Sequence, residues 1–194
     1  MDDRTQDRPS DAETVEEIHG SAPLESPEEL PTRYRDPRVI GRGGMGSILE
    51  AIDPELERMV ALKILHLRAD DDGTSEKRFL NEARITGQLE HPNIVPVHEV
   101  GLSPEGDLFF TMKLVRGQSL GDLLKTQRNA WARDEEPPWS LDRLLEAFLK
   151  ICDAIAFAHS RGVVHRDLKP DNIMIGRFGE VLVMDWGLSK VLGQ

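Results

Sequence analysis

The stretch VVHRDLKPDN, residues 163–172, sets His165, Arg166, Asp167, Lys169, Asp171 and Asn172 within eight positions. Thirteen residues beyond Asn172, the apolar run from Val181 to Met184 ends on Asp185. A solvated loop can hold dense charge, but Asp167, Asn172 and Asp185 in this order supply oxygen ligands of the kind a hard cation takes, which favours magnesium over zinc. The six histidines (19, 66, 91, 98, 159 and 165) show no zinc-ligand spacing with one another or with Cys152.

A second constellation, GRGGMG, supplies Gly41, Gly43 and Gly46. That spacing lets backbone approach phosphate oxygens closely. Alone it is a weak signal. A dinucleotide-binding turn opens a helix at once and carries an acidic residue about 20 positions on. Here a strand-like run follows, and the corresponding position holds Lys63 or an apolar neighbour. A Walker-type loop needs Gly-Lys before Ser or Thr, a pair this sequence lacks.

The elements that must position these residues are legible in the periodicity. In RMVALKIL, a period of two puts Val60, Leu62 and Ile64 on one face and Ala61, Lys63 and Leu65 on the other. TSEKRFLNEARITGQLEH predicts one helix, with Thr74 and Ser75 as capping hydroxyls, Phe79, Ala83 and Thr86 on one stripe and Glu82 beside them. IVPVHEV and DLFFTMKLV read as two further strands. A short helix is expected around Ser119 to Lys125, then a polar surface loop, QRNAWARDEEPPW, whose two tryptophans have no evident role. Ser140 is expected to cap a long helix whose apolar residues at 141, 144, 145, 148, 149, 152, 155 and 156 form one buried face, Cys152 among them.

Taken in order, the glycine loop with Ile48 two residues after Gly46, the run Val60-Ala61-Leu62-Lys63, Glu82, HRDLKPDN and Asp185-Trp186-Gly187 resemble the signature set of the protein kinases. Lys169 within HRDLKPDN resembles serine/threonine kinases in particular. GRGGMG with HPNIV is similar to the eukaryotic-like kinases of bacteria. The resemblance covers about residues 34–194. It implies an α+β fold: a five-stranded antiparallel sheet with one helix over residues 34–115, and an incomplete, mainly helical lobe over residues 116–194.

The resemblance also implies ATP and Mg2+ as cofactors and a protein serine or threonine as phosphoryl acceptor. Gly41, Gly43, Gly46 and Ile48 would cover the phosphates, and Ala61 would line the adenine site. Met112 would be the gatekeeper, with Lys113, Leu114 and Val115 as the hinge. Lys63 would neutralise the α and β phosphates, held by Glu82; Asn172 and Asp185 would hold metal; Asp167 would accept the substrate proton with Lys169 near the γ-phosphate. His165 would pack and hydrogen-bond without acting as a base.

Two departures stand out. Trp186 occupies the family's usual Phe position, and Thr86 is polar where packing is expected beside it. The activation segment, its APE anchor and later helices do not follow Gly187 within this sequence. The helix after Ser140 is therefore expected to show bare apolar surface, to attract a partner, and to leave the isolated chain inactive, so that a nucleotide- or partner-binding module without turnover is the alternative function.

Composition agrees with a folded protein, with 39% hydrophobic and 30% charged residues. The net charge of -11 is concentrated at the start, where residues 1–32 hold ten acids against Arg4 and Arg8. With four prolines and few large apolar residues, residues 1–33 are expected to be a disordered tail. The rest, 25 acids against 22 bases, favours neither nucleic acid nor an anionic membrane. No apolar run approaches the ~20 residues of a spanning helix, and a single cysteine suits a reducing compartment, so a cytoplasmic location is expected.

Overall fold

The computed structural model describes residues 33–43, 46–66, 73–104 and 106–191. Of the expected disordered tail, residues 1–33, residues 1–32 lie outside this range, whereas Arg33 donates to Tyr34 Oη and Glu99 Oε2, each at 2.7 Å.

Strands β1 (Arg35–Gly43), β2 (Gly46–Asp53), β3 (Arg58–Leu65), β4 (Val97–Leu102) and β5 (Leu108–Lys113) form one antiparallel sheet in the order β1-β2-β3-β5-β4. The predicted alternation in β3 is realised. Val60, Leu62 and Ile64 join Tyr34, Leu49, Ala51 and Phe109 on one face, while Ala61 and Leu65 join Phe79, Ala83, Phe110 and Met112 on the other. The strand signal in IVPVHEV is trimmed, because Ile94 and Val95 instead bridge to Val183 in the second half of the molecule.

Helix α1 (Thr74–Gln88) lies against the second face. Its stripe of Phe79, Ala83 and Thr86 is buried, and Phe79 packs on Phe110 with ring centroids 5.0 Å apart. Phe79 is the anchor that sets Glu82 one turn further on; truncating such a buried ring to Ala costs roughly 3–5 kcal/mol. The expected hydroxyl cap is replaced. Gly73 takes the N-cap position with φ 79°, which places Thr74 and Ser75 already inside the first turn.

Beyond the sheet, β6 (Gly117–Ser119) leads to α2 (Leu120–Ala132), then α3 (Leu141–Ser160), β7 (Val163–Val164), a 3-10 turn (Pro170–Asn172), β8 (Ile173–Gly176), β9 (Val181–Val183) and β10 (Lys190–Val191). Helix α2 runs a full two turns past the expected end, so QRNAWA is helical. The reason is tertiary: Gln127 is buried, and its amide donates to Trp139 O at 2.7 Å and accepts from Trp139 N at 3.2 Å. Trp139 thereby gains its role as a buried plug, while Trp131 remains exposed.

Ser140 does cap α3, its Oγ accepting from Arg143 N at 3.3 Å. The buried face is not the predicted one. Ala147, Ile151, Ala154 and Ala158 point inward, whereas Leu141, Leu145, Phe148 and Leu149 are 50–69% exposed and Cys152 is exposed. The helix is apolar on two sides, and only the alanine side allows close approach to β7 and β9. Periodicity alone does not choose between two such faces.

Candidate functional site

Lys63 lies in the middle of β3, paired in register with Ile48 on β2 and Phe110 on β5. Its Nζ donates to Glu82 Oε1 at 2.6 Å and stands 3.9 Å from Asp185 Oδ1. Glu82 is 4% exposed, and burial raises its carboxyl above the ordinary range; Lys63 opposes that shift and the Asp185 charge adds to it. One ammonium therefore serves two carboxylates from opposite halves of the molecule. The Phe110 ring beneath Lys63, 5.7 Å from Nζ to centroid, is a contact the sequence reading missed, although the alternation in DLFFTMKLV carried the signal.

Asp185 follows β9 directly, and its backbone is held in the left-handed region at φ 59°. Aspartate tolerates that region better than most residues, but it is sparsely populated and calls for support. The support is visible one residue earlier: Met184 N donates to Asn172 O at 2.9 Å, and His165 Nε2 meets Met184 O at 3.0 Å. His165 is buried, stacks obliquely on Trp186 at 4.5 Å, and accepts from Asp167 N at 3.3 Å. It acts as a structural rivet between the two loops.

The 163–172 loop brings its own cluster together. Lys169 Nζ donates to Asp167 Oδ2 at 2.9 Å, and Asn172 Nδ2 donates to Asp167 O at 2.8 Å and to Oδ2 at 3.1 Å. The Lys169 bond, then Asn172, holds the Asp167 carboxyl below the ordinary range, and Asp167 in turn raises Lys169. Arg166, at φ 69°, is held in the left-handed region within this loop, as Asp185 is after β9.

The glycines divide by role. Gly43 and Gly46 are the last register pair of β1 and β2. A Cβ on Gly46 would sit 1.8 Å from Ile64 O, so strand pairing alone demands glycine there. A Cβ on Gly41 would meet only Ile48, at 3.7 Å, an ordinary contact. Ile48, Ala61, Met112 and Leu114 belong to one apolar cluster. Ala61 and Met112 are register partners across β3 and β5. Lys113 N already donates to Pro96 O at 3.1 Å, and Leu114 and Val115 are half-buried in the crossing to β6. A cleft of about 520 Å³ lies elsewhere, between the end of α1, the residues leading into β4, and Lys113.

The protein kinase domain model matches residues 34–194. The chain belongs to the protein kinase family. It is 40% identical over 164 residues to the serine/threonine-protein kinase PknD of Protochlamydia amoebophila, covering 83% of this chain and 17% of that protein. It is 45% identical over 159 residues to PknD of Chlamydia muridarum, covering 81% of this chain and again 17% of the relative. The chain thus spans about one sixth of the length of these relatives.

Two features of this kinase domain explain the departures noted in its sequence. Thr86 is tolerated in the packed interface because its hydroxyl donates to Glu82 O at 2.7 Å, which returns its polarity to the helix itself. Trp186 is fully buried, in the same apolar cluster as Ile85, Leu89, Ile94 and Ala154, and its indole N–H has no hydrogen-bond partner among the described residues. At Gly187, the last residue of the Asp185-Trp186-Gly187 motif, a Cβ would come within 3.0 Å of Glu82 Oε2 and 3.4 Å of Asp185 Oδ1, so glycine allows the Asp185 turn to lie against the ion pair.

Proposed function

We propose that this chain carries the nucleotide centre of a serine/threonine protein kinase, which moves the γ-phosphoryl of ATP to a protein serine or threonine hydroxyl. The observation that supports it best is Lys63 bound to Glu82 at 2.6 Å and lying 3.9 Å from Asp185. Phosphoryl transfer needs charge neutralisation and positioning more than covalent chemistry, and this arrangement supplies both.

In this reading Lys63 neutralises the α and β phosphates while Glu82 fixes its direction. The backbone of Gly41, Gly43 and Gly46 covers the phosphates, and Ile48, Ala61 and Met112 sandwich the base. With the Lys113 N–H already engaged, adenine is read by the Lys113 carbonyl and the backbone of Leu114 and Val115. Asp167, kept ionised by Lys169, takes the acceptor hydroxyl proton as the new P–O bond forms and the bond from the γ phosphorus to the β–γ bridging oxygen breaks to release ADP, and Lys169 screens the γ-phosphate. The division falls at residues 115 and 116, between the sheet lobe and the helical lobe.

The residues fit magnesium. Both N–H groups that orient the Asn172 amide point to Asp167, which leaves Oδ1 as its ligating atom, and the Asp185 carboxylate is half exposed. Magnesium is commonly held by one or two carboxylates together with substrate phosphate oxygens, a share that Asn172 and Asp185 could supply. When bound, magnesium would draw the β and γ phosphate charge toward Asn172 and Asp185.

The bare side of α3 favours a second reading for the chain by itself: Mg-ATP or partner binding without turnover. Phosphate transfer from γ-labelled ATP to a serine- and threonine-rich acceptor separates the two. A chimera continued beyond Gln194 with the Protochlamydia kinase sequence should transfer label, and Asp167→Asn should abolish it; unchanged transfer in that variant overturns the kinase assignment. The 194-residue chain alone should bind Mg-ATP, less tightly after Lys63→Ala, without transfer; Asp167-dependent turnover by it rejects the second reading. A cytoplasmic location belongs to the same proposal, and no described helix is long and apolar enough to cross a membrane.

A further inference from the structure

Ser47 directly follows the last glycine of GRGGMG and is 2% exposed. Its Oγ meets His66 Nε2 at 2.8 Å. His66 is exposed and comes immediately after β3, three positions beyond Lys63. Along an extended strand an odd separation reverses the face. His66 therefore stands on the side of the sheet away from Lys63 and Glu82. Ser47 shares that side with Leu49 and Ala51, while Ile48 shares the side of Lys63.

We infer that Ser47 and His66 are positioning residues for the Gly43–Gly46 pair: their bond clamps the described root of the β1–β2 hairpin to β3 and so sets its distance from Lys63. This rests on the nucleotide reading above. The clamp works beside the backbone ladder. β2 pairs with β3 as far as Gly46 and Leu65, Gly46 lies so close to Ile64 O that no side chain fits there, and β1 joins β2 only as far as Gly43 and Gly46. Immediately beyond Gly46 the Ser47 side chain ties β2 to His66, the residue that follows the Lys63 strand. The pairing survives either protonation state of the ring, since a serine hydroxyl can donate to an imidazole nitrogen or accept from it.

The consequence is selective. Losing the clamp should loosen the hold of the Gly43 and Gly46 backbone on the phosphates without altering the apolar slot of Ile48, Ala61 and Met112. The test is the affinity of the 194-residue chain for Mg-ATP and for adenosine, by titration calorimetry, in the wild type and in Ser47→Ala, His66→Ala and the double variant. Each single substitution should weaken Mg-ATP roughly fivefold, a typical consequence of losing one net hydrogen bond. The double variant should lose less than the two single losses combined, because both remove the shared interaction. Adenosine affinity should stay within about twofold, and His66→Gln should recover most of the ATP affinity. Since His66 is exposed, His66→Ala keeps the test usable if Ser47→Ala folds poorly. Unchanged ATP affinity in His66→Ala, or an equal loss for adenosine, overturns the inference while Lys63→Ala still weakens ATP. If the wild type binds no nucleotide, the kinase reading itself falls and takes the clamp with it.

Discussion

Replacing Lys63 by methionine keeps the length and apolar stem of the side chain and removes the charge. Glu82 is then left buried with only the like charge of Asp185 nearby. Removing one member of a fully buried ion pair costs about 3–5 kcal/mol. Lys63 retains 17% side-chain exposure, so the expected loss is about 2–3 kcal/mol at pH 8. The loss should depend on pH with a definite sign. The Glu82 carboxyl is already raised by burial, and losing Lys63 raises it further. A carboxyl raised in the folded state favours folding at pH below its unfolded value, and that advantage disappears as pH climbs through the folded value. The deficit of Lys63→Met against wild type should therefore shrink from pH 8 to pH 5, as Glu82 takes up a proton. Urea unfolding followed by the fluorescence of buried Trp139 and Trp186 measures it at both pH values. Adding Glu82→Gln should restore most of the stability at pH 8. A deficit equal at both pH values, or no recovery in the double variant, would refute the claim that an uncompensated Glu82 charge is the source.

Gly46→Ala should lower stability by about 1–3 kcal/mol through the clash with Ile64 O, whereas Gly41→Ala should leave it within about 0.5 kcal/mol; thermal melts of the two variants test the contrast. Gln127→Leu strands both the N–H and the carbonyl of buried Trp139 and should cost about 2–4 kcal/mol in urea unfolding. On α3, Ile151→Ala should cost about 2–4 kcal/mol, while Phe148→Ser should cost under 1 kcal/mol and reduce self-association in sedimentation velocity.

Strand alternation made the sheet legible: the two faces of RMVALKIL separate into two distinct apolar clusters as a period of two requires. The chemistry-bearing residues were legible because their types are unusual next to apolar runs, and the fold brings Lys63, Glu82 and Asp185 together from positions far apart in the chain. What stayed hidden was decided by tertiary partners. The apolar pattern of α3 fits two faces, and only the small side chains of Ala147, Ala154 and Ala158 against the strands select one. The true length of α2 depends on Gln127 finding Trp139, a contact with no local signature. Likewise, Gly46 looked like a phosphate-loop glycine, yet the Ile64 carbonyl alone excludes any other residue there.

The most direct test of the nucleotide centre is calorimetric titration of the 194-residue chain with ATP, with and without magnesium, beside Asp185→Asn. The account predicts saturable one-to-one binding that strengthens with magnesium, and a magnesium effect that disappears in the variant. Binding indifferent to magnesium and to Asp185, or no saturable binding at all, would contradict it.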